Sequence, residues 1–195
     1  MGSKCSLQLE ESDIDEIQKE TGFTANQIKR LYSRFCNLDK GNKAFLSRDD
    51  FKRIPELAIN PLGERIIELF FGENHATEIG GEDGINFKAF MRALARFRSI
   101  SSHNHNPLNT REHKLEYAFQ MYDIHRTGGI TKDNITHILK LMVGANKSSD
   151  QLTAIADRIL QEAGNNDGVI TFEEFSKIML KTDFHTKMSI RFLAK

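Results

Sequence analysis

The chain has 195 residues with 27 acidic and 27 basic side chains, so its formal charge is zero. That length suits one large or two small lobes, each able to bury a core. The even charge balance argues against a nucleic-acid binder, which carries a clustered basic surplus, and is unlike a calcium-loading protein, whose loops concentrate carboxylates. Two cysteines, Cys5 and Cys36, without a leader segment read as a reducing, intracellular setting without disulfides. No apolar run approaches the roughly 18 residues that a membrane span requires.

The chain opens Met-Gly-Ser-Lys-Cys-Ser, the N-myristoylation pattern, with Gly2 as acceptor and Ser6 in the required place. One myristoyl chain holds a protein to a membrane only marginally, so firm attachment needs a second contact, from Cys5 acylation or a membrane-bound partner. Thr24-Ala-Asn-Gln27 is a capping box that starts a helix. Ile28, Leu31, Tyr32, Phe35 and Leu38 then recur at helical spacing. A loop runs from Asp39 to Asp50, and a short helix follows through Phe51 and Ile54. Asn60-Pro61 starts another helix, with Leu62, Ile66, Leu69 and Phe70 on its apolar face. A glycine-rich break leads to Ile85-Asn86-Phe87 and a helix carrying Phe90, Met91, Leu94 and Phe97.

Residues 99–108 are a polar joint. Its His103-Asn-His105 reads as linker rather than as a metal pair. The plan then repeats. A helix spans Thr110 to Tyr122, a loop spans Asp123 to Asn134, and the next helix carries Ile135, Ile138, Leu139, Met142 and Val143. Ser148 to Gln151 caps a further helix with Leu152, Ile155, Ile159 and Leu160. A last loop begins at Ala163 and leads to Phe172, Phe175, Ile178 and Met179.

Residues 163–174 carry the clearest motif. A calcium loop of the EF-hand type needs oxygen ligands at positions 1, 3, 5, 7, 9 and 12, with glycine at 6 for the turn. Asn165, Asp167, Val169 through its carbonyl, Thr171 and Glu174 fill positions 3 to 12, and Gly168 makes the turn. Position 1 is Ala163. Losing that charged ligand costs roughly 2–4 kcal/mol, or about 30- to 1,000-fold in affinity. Loops of this kind start at 39, 78, 123 and 163, and each holds an apolar residue at position 8: Leu46, Ile85, Ile130 or Ile170. That residue joins paired loops by a short strand. The expectation is an all-α, four-EF-hand (calmodulin-like) chain in two paired lobes with short β-bridges.

The division expected is a terminal segment (1–22), an N-terminal lobe (23–98), a linker (99–108), a C-terminal lobe (109–184) and a tail (185–195). The ligands are less intact than the apolar positions. The first loop has Gly41, Lys43 and Ala44 where ligands and turn glycine belong. The second has Gly80, Asp83 in the glycine position and Ala89 at 12. The third keeps Asp123, Thr127 and Gly128 but has His125 at 3 and neutral Asn134 at 12. Calcium is expected to be weak at the fourth loop and improbable elsewhere. Cys36 lies beside Phe35 with no nucleophilic arrangement near it, and no phosphate loop, nucleophile elbow or zinc spacing is present. The chain does not read as an enzyme.

The stretches GFTANQIKRLYSRF (22–35), PELAINPLGERII (55–67), PLN (107–109), LMVGAN (141–146), IADRILQEA (155–163) and KMSIRFL (187–193) resemble the calcineurin B homologous proteins, from Gly2 to Leu193. Calcineurin B shares the four-hand plan and the PEL…NPL and MVG stretches; KMSIRFL and GFT…LYSRF favour the homologous-protein branch. The resemblance implies a myristoylated cytosolic subunit that binds the juxtamembrane cytoplasmic helix of plasma-membrane Na⁺/H⁺ exchangers, supporting their stability, delivery and pH-dependent activity. It also implies, as alternatives, regulation or inhibition of the calcineurin catalytic subunit, or a calcium sensor in vesicle traffic. Better-endowed members bind calcium in the third and fourth loops, where this chain has Asn134 and Ala163.

EF-hand pairs bind partners by taking an amphipathic helix into an apolar groove, which calcium normally opens. With ligands missing, constitutive binding is expected. The candidate groove residues are Leu94, Phe97, Met121, Leu139, Met142, Ile159, Phe175, Ile178 and Met179, positions an ordinary helical core would also need. Met188 and Phe192 lie four apart, so the tail could cover the groove's edge.

Overall fold

The computed structural model describes residues 9–72, 77–79, 82–98, 106–163, 167–183 and 188. They form two compact units: the first runs to Lys114 and also takes in Met188, and the second starts at Leu115. Helices dominate, with short antiparallel strands between them, as expected for an all-α EF-hand fold.

In the first unit the helices are α1 (Glu11–Thr21), α2 (Ala25–Leu38), α3 (Arg48–Lys52), α4 (Pro55–Ala58), α5 (Gly63–Gly72) and α6 (Phe87–Ala95). The Thr24 capping box forms as read: Gln27 N–H donates to Thr24 Oγ1 at 3.3 Å, and Thr24 N–H donates to Gln27 Oε1 at 3.0 Å. The apolar face of α2 turns inward, with Ile28, Leu31 and Phe35 buried. Phe35 meets Phe87 edge-on, with ring centres 5.4 Å apart, and Phe90 at 5.6 Å. Strand β1 (Phe45–Leu46) pairs antiparallel with β3 (Glu82–Asn86), setting Leu46 opposite Ile85.

Two features of this unit differ from the sequence expectation. The segment 1–22 contains α1, which buries Ile14, Ile17 and Thr21 and packs against α2 and α6. Its short apolar face gives little periodicity, and its stop signal is Gly22 at φ 67°, whose N–H donates to Gln18 O. Ion pairs bind it to α6: Lys88 lies 3.1 Å from Asp13 and 2.6 Å from Glu16, and Arg92 grips both oxygens of Glu20. Arg92's hydrogen bond holds the Glu20 carboxyl below its ordinary range. The second difference lies in the loop expected at 78–89. Strand β2 (Thr77–Ile79) pairs with β3 in register Thr77↔Gly84 and Ile79↔Glu82, so this stretch is a hairpin.

Cys36, read as structural, is buried on α2, and the other cysteine, Cys5, lies outside the described residues. Of the expected linker, 99–105 also lies outside them. Its last residues belong to the first unit's polar network: Asn106 Nδ2 and Arg98 Nη1 both donate to Thr21 O, at 2.8 and 2.9 Å.

The second unit comprises α7 (Arg111–Tyr122) from Leu115 onward, α8 (Lys132–Val143), α9 (Ser149–Glu162) and α10 (Phe172–Met179). Strands β4 (Gly129–Thr131) and β5 (Val169–Thr171) pair antiparallel, with Ile130 opposite Ile170. Phe119 on α7 meets Phe172 and Phe175 edge-on at 5.5 and 5.6 Å, and α8 packs along α9. The Ser148–Gln151 capping box that starts α9 is present.

Because α1 is part of the core, Ile17→Ala should cost about 2–5 kcal/mol, read from urea unfolding. Lys88→Ala, which breaks only an exposed ion-pair cluster, should shift stability by about 1 kcal/mol or less.

Candidate functional site

The two units bury their apolar residues unequally. Among the described residues, eight large apolar side chains are exposed, and seven of them lie in the second unit. Most sit towards the exits of its helices: Tyr122 ends α7, Leu141 and Met142 lie near the end of α8, Ile159 lies near the end of α9 with Ile155 at its middle, and Ile178 and Leu180 are at the end of α10. Met142 is 58% exposed and Leu180 67%. Among its described residues the first unit exposes one large apolar side chain, Ile59. Its aromatic residues fill the core instead, where Phe51 contacts Phe70, Phe71 and Phe90.

The candidate groove residues divide accordingly. Met142, Ile159 and Ile178 are exposed on the second unit; Met121, Leu139 and Met179 are half-buried there. Phe175 and Leu94 are buried in the cores of their own units, which is a packing role. Phe97 is half-buried and stacks on Phe70 with ring centres 6.4 Å apart. Leu141, Ile155 and Leu180 belong to the exposed set and are not among the groove residues expected from the sequence. Period alone does not separate the face a helix turns to its own core from the one it turns outward. Met188 is half-buried, and Phe192 and Gly2 lie outside the described residues.

The loops show what replaces missing metal ligands. In the third, Asp123 is buried and its carboxylate gathers the turn's own donors: Thr127 N–H at 3.0 Å, Thr127 Oγ1 at 3.2 Å and Gly128 N–H at 2.8 Å. Asn134 accepts from Thr131 N–H and Oγ1 through Oδ1, while its Nδ2 is buried with no partner. An acid at that position would present a second oxygen where the amide presents a donor, so position 12 of the third loop offers one oxygen rather than a bidentate pair. In the fourth loop Glu174 Oε2 accepts from Thr171 N–H and Oγ1, each at 2.8 Å. Asp167 and Glu174 remain as acids with the Val169 carbonyl and Thr171, and Asn165 lies outside the described residues. Among the described residues no three His, Cys, Asp or Glu side chains gather at one point. The first loop is self-contained: Asp50, buried, takes Lys43 Nζ at 3.1 Å, Ser47 N–H at 2.9 Å, Ser47 Oγ at 2.8 Å and Arg53 Nη1 at 3.2 Å.

Burial pushes the Asp50 carboxyl up, and the hydrogen bonds from Ser47 and Lys43 outweigh it, leaving the group below its ordinary range. A carboxyl depressed on folding adds stability that is complete above its unfolded pKa, about 4, and lost as pH falls through the folded value. Asp50→Asn should therefore cost roughly 1–3 kcal/mol at neutral pH. The gap between variant and wild type in urea midpoints should close as pH is lowered below about 4.

A family model described as an EF-hand domain pair matches residues 112–180. The chain is 42% identical to the calcineurin B subunit of Naegleria gruberi, over 98% of this chain and 99% of that one. It is 36% identical to the type 2 calcineurin B subunit of Dictyostelium discoideum, over 89% of this chain and 86% of the relative. It is 37% identical to the type 1 protein of the same organism, over 90% and 89%. With four loops paired as Leu46 with Ile85 and Ile130 with Ile170, and this likeness along nearly its whole length, the chain belongs to the calcineurin B-like family of EF-hand proteins.

Proposed function

We propose that this chain is a non-enzymatic EF-hand regulatory subunit. Its second unit holds an amphipathic, cytoplasmic, juxtamembrane helix of a plasma-membrane Na⁺/H⁺ exchanger, supporting the transporter's stability, delivery and pH-dependent activity with weak or no calcium dependence. The observation that carries this reading is the set of exposed large apolar side chains on the second unit's helices, Met142, Ile159 and Ile178 among them. Soluble proteins rarely leave such side chains bare unless something covers them, and an EF-hand pair covers them with a helix. The KMSIRFL and GFT…LYSRF stretches direct the reading to the exchanger.

A second reading has its own support. The relatives at 36–42% identity are named as subunits of calcineurin, which favours a helix of the calcineurin catalytic subunit as the occupant. Either way the location proposed is cytoplasmic, peripheral at the plasma membrane and secretory vesicles. Acylation at Gly2 would supply one weak membrane contact and the partner the second. Among the described residues no helix is long and apolar enough to cross a membrane.

Fluorescent peptides of the two helices, titrated with purified protein in chelator and in calcium, test both readings. The exchanger peptide is expected to bind in both buffers, and Met142→Asp and Ile178→Asp should each weaken it at least about tenfold, about 1.4 kcal/mol. Being surface changes, both should leave the thermal melt nearly unchanged. Binding that needs calcium, or that ignores both substitutions, overturns the proposal; tighter binding of the phosphatase peptide selects the second reading.

A further inference from the structure

The first loop and α3 place more cations around one cavity than their own fold uses. Lys40 and Lys43 come from the loop, Arg48 opens α3 and Arg53 follows it, and all four line an open cavity of about 940 Å³. Two of them have a structural task. Lys43 Nζ and Arg53 Nη1 lie 3.1 and 3.2 Å from the buried Asp50, which also accepts from Ser47 N–H and Oγ. A carboxylate has about four acceptor sites, so Asp50 has little left to offer a ligand.

Lys40 and Arg48 have no such task. Neither pairs with a carboxylate among the described residues. The Arg48 guanidinium lies over the Phe71 ring, 4.6 Å from its centre, and the Lys43 ammonium lies over Phe45 at 4.7 Å. An aromatic face orients a cation without consuming its N–H donors. The other acids of the lining, Asp49 and Asp83, are exposed, and with Asp50 they leave four cations against three carboxylates. Fixed cations in a concave wall focus a positive field, and guanidinium forks match phosphate oxygens two at a time. A phosphate monoester brings about −1.5 to −2 charges at neutral pH and three acceptor oxygens, so it can engage several of these donors at once.

We propose that the cavity over the first loop is an anion site for a phosphate monoester of the kind an inositol phosphate carries. Lys40 and Arg48 are its principal donors, and Lys43 and Arg53 frame it. The same chemistry comes from two sources, the headgroup of a phosphoinositide in a membrane and a free inositol phosphate. Bound as a headgroup, it would supply the second contact that a single acyl chain needs for firm attachment. Which partner helix the second unit holds has no bearing on this site.

Full-length protein made without acylation is titrated calorimetrically with inositol trisphosphate. The same protein is sedimented with phosphatidylcholine vesicles carrying either phosphatidylinositol bisphosphate or a charge-matched amount of phosphatidylserine. Binding is expected to weaken as salt is raised; preference for the bisphosphate vesicles assigns the headgroup, and binding of the trisphosphate alone assigns the free source. Lys40→Ala with Arg48→Ala should weaken binding at least about tenfold and leave the thermal melt nearly unchanged. Lys140→Ala with Lys147→Ala, which removes equal charge from exposed positions of the second unit, should leave binding as it was. Asp49→Asn with Asp83→Asn should tighten it about threefold, the reverse of what a cation site would show, and this pair carries the test if losing Arg48 unsettles the fold. No binding of the trisphosphate together with no preference for bisphosphate over phosphatidylserine vesicles overturns the proposal. So does a loss no larger in the Lys40 and Arg48 variant than in the Lys140 and Lys147 one.

Discussion

A loop that has lost metal ligands must still dispose of the polar groups that once faced the ion, and above all of the N–H groups that converge on its first residue. Asp39 and Asp123 do this. Asp39 takes Ala44 N–H, and Asp123 takes the N–H groups of Thr127 and Gly128. A buried donor left unpaired costs about 1–3 kcal/mol, so these carboxylates keep the turns closed without help from outside. Once the turns are closed, β1 reaches β3 and β4 reaches β5, placing Leu46 on Ile85 and Ile130 on Ile170. Each pairing joins two helix–loop–helix units across their loops, and the aromatic cores assemble on either side of it.

The two units use that frame differently. The first invests its aromatics inward: Phe35, Phe51, Phe87 and Phe90 are all buried, and α1 adds Ile14 and Ile17 to the same cluster. The second has a smaller buried set, centred on Phe119, Phe175, Ile130 and Ile170, and its helix ends turn Met142, Ile159, Ile178 and Leu180 outward. A helix covering them would find apolar contact at the exits of α8, α9 and α10, while the loops at the other end stay tied by the β4–β5 pair. In the first unit the corresponding end is closed by its own side chains, as Phe97 stacked on Phe70 illustrates.

Much of this was legible in the sequence, for reasons that differ by element. The Thr24 and Ser148 capping boxes are local chemistry, readable from four residues each, and both form. The position-8 residues were legible because the repeat places them, and a two-stranded bridge needs only that one register. Helix α1 was not legible: its mean composition is polar, and what fixes it is distant in sequence, since Lys88 and Arg92 reach it from α6. The β2–β3 hairpin was hidden for the opposite reason, because the spacing of the repeats made residues 78–89 look like another ion loop. The groove candidates were half legible, since helical period marks an apolar face without saying which of two neighbours it meets.

How such a protein responds to an ion follows from where its acceptors already point. A ligand shifts a conformational equilibrium only by the difference in its affinity for the two states. In the third loop Asn134 offers an amide where a second carboxylate oxygen would gain that difference, and in the first the acceptors of Asp50 are engaged by Lys43, Ser47 and Arg53. Only the fourth loop keeps Glu174 and Asp167, and its first position is an alanine. The ion's share of the opening free energy is thereby confined to one incomplete loop. Covering the outward apolar side chains has no such handicap. Full burial of a side chain of this size is worth about 1.5–3 kcal/mol, and Met142, Ile159 and Ile178 still have between a third and three-fifths of their surface to bury. Those three alone offer a partner roughly 2–4 kcal/mol, available at any calcium level. The partner's helix therefore has apolar surface to gain at any calcium level, which is the balance that the constitutive binding proposed above requires.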